Sequence, residues 1–476
     1  MKGVTVPGNR ERAFESTRQG RPDQPPNILF ILADDLGWAD LGCYGSTTIR
    51  TPNLDQLAAQ GIRFTHGYAG SPWCSSTRIS LYTGRYPGRL QAGLEEPLVT
   101  RSPENGIPEG HPTLSSLLVE AGYATAMFGK WHCGWLPWYS PLRIGFETFF
   151  GNFDGALDYF EHVDTLGKAD LYEGETPVEE VGYYTEIISE RAAEYITAHR
   201  NRPFYVQLNY TAPHWPWEGP DDHEVGQEIR RRYQQRWEHS PLMHLDGGSI
   251  AKYGELVEAM DAGIGQVLAA LDRAGAADNT IVVFSSDNGG ERWSKNWPFV
   301  GEKGDLTEGG IRVPLIVAWP EAIAGNQVSD HPVITMDWTA TLLAAAGTEP
   351  HPDWPLDGVD LLPWLVDGAD FPAHDLFWRT SNQGALRRGR FKYLRDRRDR
   401  AVLGNWPRHY GDYHLLYDVT VDGRERADIA GQHPEVLAEL REAWERIDAE
   451  LLPFPTTHVG LPRPRTEGAP AVSEPD

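Results

Sequence analysis

The chain has 476 residues, 40% of them hydrophobic, with 17 Trp, 19 Tyr and 16 Phe. That is ample apolar material for a large core and too much for a disordered chain. The formal net charge of −25 argues against nucleic acid or an anionic membrane as a partner. An anionic substrate must therefore be captured by a local cluster of cations. Cys43, Cys74 and Cys133 are too few, and odd in number, for a disulfide framework. No apolar run approaches the about 18 residues of a membrane span. The N-terminus shows no apolar stretch of a secretory leader, so the expected location is cytoplasmic.

In chain order, residues 1–25 are polar and read as an N-terminal tail. Asn27–Ala33 is a short unbroken apolar run of the kind that forms buried parallel strands, and Asp34–Asp35 follow its end. Thr51-Pro52-Asn53 opens a helix through Ala59, which Gly61 closes. Ser71-Pro-Trp-Cys-Ser-Ser-Thr-Arg78 places Cys74 among small hydroxyl residues at the start of another helix. Free N–H groups there favour an anion. Thr113–Ala121 is a further helix with Gly122 past its end. Tyr123–Phe128 is a strand that runs into Gly129-Lys130-Trp131-His132. An amphipathic helix from about Tyr183 to His199 precedes the strand Phe204–Asn209, which ends in Ala212-Pro213-His214. Ile250–Leu271 reads as a helix, Thr280–Ser285 as a strand ending in Asp287-Asn288, and Leu315–Ala318 continues the sheet.

This alternation predicts an open, mostly parallel α/β sheet with helices on both faces over residues 26–375. Ligands bind such sheets beyond the carboxyl ends of the strands. Here separate strands deliver acidic, basic and imidazole groups to that edge. From 376 to 455 short antiparallel strands and a helix from Glu435 to Leu451 predict a smaller α+β domain. The basic run Arg387–Arg400 reads as a solvated hairpin, and 456–476 as a Pro- and Glu-rich tail.

Taken singly, each polar group has an ordinary explanation. Asp34–Asp35 fits a cap or turn, Lys130 and Lys303 fit a solvated surface, and His132 and His214 fit structural roles. A lone Cys74 fits a small buried hydrophobe, as Cys43 and Cys133 do. Together, carboxylates and an amide at one sheet edge make an oxygen site suited to a hard divalent cation. Trp131, Trp135, Trp138, Trp215, Trp217, Trp293 and Trp297 flank these motifs. They fit either core packing or an aromatic-walled pocket.

The Cys74 segment, continued by Leu81-Tyr-Thr-Gly-Arg-Tyr-Pro87, resembles the signature of the type I sulfatases, in the alkaline phosphatase superfamily. The family core is Cys-x-Pro-x-Arg, and Ser76 stands at the proline position. Asp34-Asp35-Leu-Gly37 and Asp287-Asn288-Gly-Gly290 resemble the family's metal motifs. Gly129-Lys-Trp-His132, Ala212-Pro-His-Trp-Pro216 and Gly301–Pro314 resemble its lysine and histidine segments. The resemblance implies that a formylglycine-generating enzyme oxidises Cys74 to formylglycine, whose hydrate is the nucleophile. It also implies a metal, usually calcium with magnesium or manganese as alternatives, held by Asp34, Asp35, Asp287, Asn288 and residue 74. Lys130 and Lys303 are then expected to grip sulfate, with Arg78 completing the positive pocket. His132 is expected to assist residue 74, and His214 to protonate the leaving group. The expected reaction is hydrolysis of a small-molecule or saccharide sulfate monoester. Two alternatives stand beside it: a phosphonate monoester or phosphodiester hydrolase, and an inactive binding protein whose Cys74 remains a thiol.

Overall fold

The computed structural model describes residues 24–235, 239–396 and 412–455. Most of the two expected tails, and the last residues of the Arg387–Arg400 run, lie outside the described residues. The large sheet contains β1 (Asn27–Ala33), β2 (Ile62–Tyr68), β3 (Ala124–Lys130), β4 (Thr148–Asn152), β5 (Tyr172–Glu173) and β6 (Thr176–Pro177). It continues with β7 (Phe204–Asn209), β8 (Thr280–Ser286), β9 (Arg312–Ala318), β10 (Gln327–Ser329) and β11 (Val333–Ile334). The order is β10-β2-β9-β8-β1-β7-β3-β4-β5-β6, with β11 also paired to β2. β8, β1, β7, β3 and β4 are mutually parallel neighbours. β9 is antiparallel to both β8 and β2.

The central strands are unbroken apolar runs because both of their faces are covered. Alternate β1 side chains point to opposite faces. Leu29, Ile31 and Ala33 pack with the helices Pro52–Gln60, Tyr184–His199 and Ile250–Ala274. Ile28, Phe30 and Leu32 pack with the helices Cys74–Thr83, Leu114–Glu120 and Thr335–Ala345. Local signals set the helix ends. Thr113 Oγ1 accepts from the Ser116 N–H (3.1 Å) while Ser116 Oγ accepts from the Thr113 N–H (2.9 Å), a reciprocal cap. Gly122, with φ 87°, supplies the left-handed turn that leads from that helix towards β3.

A separate antiparallel sheet follows, β12 (Leu376–Arg379), β13 (Gln383–Arg388), β14 (Phe391–Asp396) and β15 (Tyr413–Asp418), paired in that order. The helix Pro434–Asp448 packs Leu440, Ala443 and Trp444 into its core. One sequence expectation needs correction here. The β13–β14 hairpin is not simply solvated, because Arg387 and Lys392 are buried. Only some of its cations, such as Arg388 and Arg395, face outward to pair with Asp375 and Asp412.

Candidate active site

β8, β1, β7 and β3 all end at one edge of the sheet, and main-chain bonds tie their extensions together. The Asp287 N–H donates to Ala33 O (3.1 Å), the Asp34 N–H to Ala212 O (3.2 Å) and the Tyr210 N–H to Leu32 O (2.9 Å). The Cys74–Thr83 helix begins at this edge with every residue buried, Cys74 at its first position. Cys74 Sγ lies 3.3 Å from His132 Nδ1. His132 Nε2 lies 2.8 Å from the Leu98 carbonyl. A carbonyl only accepts, so Nε2 carries the proton and Nδ1 turns a lone pair to residue 74. Asp35 (φ 63°) and His132 (φ 51°) both hold left-handed backbone, strain of the sort kept at functional sites.

The charges form an interlocked set. Lys130 Nζ is paired with Asp34 Oδ2. Arg78 donates to Asp287 Oδ2 from Nη2 (2.8 Å) and Nε (3.2 Å), and to the Lys130 carbonyl from Nη1 (3.1 Å). Lys303 Nζ donates to Asp35 Oδ2 (2.8 Å), and His214 Nε2 lies 3.5 Å from the same oxygen. Asn288 Nδ2 donates to Asp35 Oδ1 (2.7 Å). The structure thus gathers Asp34, Asp35, Cys74, Arg78, Lys130, His132, His214, Asp287, Asn288 and Lys303 into one buried constellation.

Burial separates the protonation behaviour of its members. It pushes the Asp287 carboxyl up to about 7, with Asp34 adding to the rise and Arg78 opposing it. Burial also acts to raise Asp35, but Lys303 and His214 outweigh it and hold that group at about 2. The Cys74 thiol is held above its ordinary value by burial, against Lys130 and Lys303. Burial drives His132 and His214 well below the usual imidazole value, with Lys130 adding to the fall at His132 and Lys303 at His214.

Two buried oxygens, Asp34 Oδ1 and Asn288 Oδ1, have no hydrogen-bond donor among the described residues. Unpaired buried acceptors are costly and uncommon. Asp34, Cys74 and Asp287 bring one donor atom each within 4.8 Å of one another, as do Asp34, Asp35 and His214. An oxygen-rich set with orphaned acceptors fits a hard divalent cation.

Sequence reasoning missed several supporting groups. Asn209 Nδ2 donates to the Lys130 carbonyl (2.8 Å) and to Tyr82 Oη (2.8 Å), and Gln207 Nε2 donates to Asn209 Oδ1 (2.6 Å). Ser286 Oγ accepts from the Leu36 N–H (3.0 Å) and holds the turn after β1. The available signal was a polar residue inside an otherwise apolar strand. The tryptophans differ in burial. Trp131 is fully buried and stacks on Tyr82, whereas Trp138 and Trp297 are 40% and 65% exposed. Cys133 is buried and Cys43 half-buried, both as free thiols.

Residues 26–348 match the family model described as Sulfatase. The chain belongs to the sulfatase family. It is 34% identical over 376 residues to N-acetylgalactosamine-6-sulfatase of Homo sapiens, covering 72% of this chain and 66% of that one. It is 30% identical over 544 residues to steryl-sulfatase of Mus musculus, covering 92% and 83%. Among solved structures, Ps i-CgsB in complex with k-i-k-neocarrahexaose superposes with a TM-score of 0.78 at 28% identity, covering 91% and 94%. The fold is the alkaline-phosphatase-like one expected from the sequence, and the enzyme is a hydrolase of sulfate esters.

Proposed function

We propose that this sulfatase removes sulfate from a saccharide sulfate monoester, using residue 74 after a formylglycine-generating enzyme has converted Cys74. The observation that carries this reading is the lone pair of His132 Nδ1 facing residue 74 at 3.3 Å, in a cluster where Lys130 and Lys303 pair with Asp34 and Asp35. A protonated thiol is a poor partner for a hard cation, whereas an oxygen group at residue 74 completes the oxygen set. Asp34, Asp35, Asp287 and Asn288 would hold calcium, with magnesium or manganese as alternatives. When bound, the cation supplies positive charge that polarises the sulfate oxygens and stabilises the nucleophile.

The chain's own groups divide the remaining work. Lys130 and Lys303 bind the sulfate oxygens as point charges, which the global charge of −25 makes necessary. Arg78 bridges Asp287 and the Lys130 carbonyl, so it orients an acid and a lysine together. His132 Nδ1 accepts the proton from the reacting group on residue 74. His214 Nδ1 is held by the Trp215 carbonyl at 2.8 Å, which leaves Nε2 for the transferable proton. Burial first, and then Lys303, depress His214; an arriving sulfate anion offsets the Lys303 contribution and so acts in the direction of protonating Nε2.

The saccharide assignment rests on relatives whose names specify sugar sulfates or oligosaccharide complexes, and on the exposed Trp138 and Trp297. Parallel kinetics on an O-sulfated hexosamine, nitrophenyl sulfate and a nitrophenyl phosphonate monoester test it. The expected result is higher kcat/KM for both sulfates, with the hexosamine sulfate turned over. Higher kcat/KM for the phosphonate would replace this reading with that of a phosphonate monoester hydrolase. Turnover of nitrophenyl sulfate alone would remove the saccharide assignment.

A further inference from the structure

One cluster of charged groups far from solvent takes no part in the chemistry above: Glu308, Arg312, Arg387, Lys392 and Glu425, with Arg312 Nη1 donating to Glu308 Oε2 (3.1 Å). Glu308 begins the short helix Glu308–Ile311, five residues after Lys303. Its Oε1 accepts from Lys392 Nζ on β14 (2.9 Å), and its Oε2 accepts from Tyr68 Oη (2.6 Å). Lys392 Nζ also pairs with Glu425 Oε1 (2.9 Å), while Glu425 Oε2 accepts the Glu308 main-chain N–H (2.7 Å). Gln383 Oε1 on β13 accepts the Leu306 N–H (3.2 Å). The antiparallel sheet and the segment after it therefore hold Leu306 and Glu308 by main chain and side chain at once. The loop bearing Lys303 rests directly on this turn. A Cβ added to Gly310 would lie 2.1 Å from the Asp305 carbonyl oxygen and 2.5 Å from that of Glu302.

Burying such a cluster costs desolvation that only near-complete pairing repays, and apolar residues could have filled the space. The network adjoins one catalytic loop, and its members come from both sheets. We propose that Lys392, Glu425 and Gln383 are positioning residues: they fix the Leu306–Glu308 turn, and through it aim the Lys303 ammonium at the sulfate site. This rests on the reading of Lys303 as a sulfate-binding group.

The test is a double-mutant cycle on the full-length, metal-loaded, formylglycine-bearing enzyme, read as the competitive inhibition constant of inorganic sulfate. Lys303→Ala is expected to raise that constant. Lys392→Met is expected to raise it about tenfold in the native background but less than about twofold when Lys303 is already alanine. Equal factors in both backgrounds would mean that Lys392 merely stabilises the fold, and would overturn the proposal. If Lys392→Met does not fold, Gln383→Leu removes one bond only, and about a threefold rise confined to the Lys303 background is expected. No rise with a soluble Gln383→Leu protein would then overturn it. Failure of Lys303→Ala itself to weaken sulfate inhibition is a distinct result, which would remove the sulfate-binding reading of Lys303 and the proposal with it.

Discussion

His214 is the residue whose role two substrates can separate. Transfer of sulfate builds negative charge on the departing oxygen, so a poor leaving group needs a proton as it goes. The Trp215 carbonyl engages Nδ1, so the proton in question is carried by Nε2, which lies 3.5 Å from Asp35 Oδ2. General acid catalysis is worth about 10²–10⁴-fold where it is needed. His214→Ala should therefore slow a sugar sulfate by about that factor while slowing nitrophenyl sulfate far less. Lys303→Ala is the control, since it removes anion stabilisation and should slow both substrates alike. Equal losses on both substrates with His214→Ala would assign the proton to another group. Most of the candidate site residues were legible because each sits in a distinctive short motif, at or near a strand end for most and at a helix start for Cys74 and Arg78. Asn209 and Gln207 were not, because nothing in their spacing shows that they reach the Lys130 carbonyl.

The elements were legible to different depths for physical reasons. β1 and β7 have the expected bounds, since a buried parallel strand is an apolar run with sharp ends. The helices starting at Pro52 and Leu114 are marked by proline or a capping residue at one end and glycine near the other. The direction of β9 was not legible, because composition does not distinguish parallel from antiparallel pairing. The burial of Arg387 and Lys392 was hidden too: their partners Tyr68, Glu308 and Glu425 are distant in sequence. The contact between the β12–β13 turn and the segment before Leu98 carries a pH signature. Burial raises the Glu96 carboxyl from 4.5 to about 8, against the opposing Ser381 N–H at 3.1 Å and Arg379. A carboxyl raised on folding stabilises the protein fully below its unfolded value, and loses that contribution as pH rises through the folded one. Glu96→Gln should therefore flatten the Tm profile between about pH 5 and pH 8 and raise Tm at the alkaline end. Parallel Tm profiles for the two proteins would show that Glu96 does not titrate between folded and unfolded states.

The whole molecule joins a strongly negative net charge to a buried cluster in which three cations stand among three carboxylates. A net charge of −25 repels anions at long range, yet Arg78, Lys130 and Lys303 stand within one buried cluster. Their Coulomb contributions count for more where water is excluded. The strongly paired architecture explains how such a centre persists. Each lysine has a carboxylate partner, and the parallel strands hold those carboxylates at one edge. The chain's sulfatase chemistry then depends on what residue 74 becomes, given Ser76 beside it and a thiol that burial keeps protonated. The most direct test is mass spectrometry of the tryptic peptide ending at Arg78, on preparations made with and without a formylglycine-generating enzyme and assayed on the same sulfate ester. The expected result is an aldehyde at residue 74, with turnover proportional to its fraction and none from thiol-only protein. Full turnover by protein in which residue 74 is entirely cysteine would contradict it.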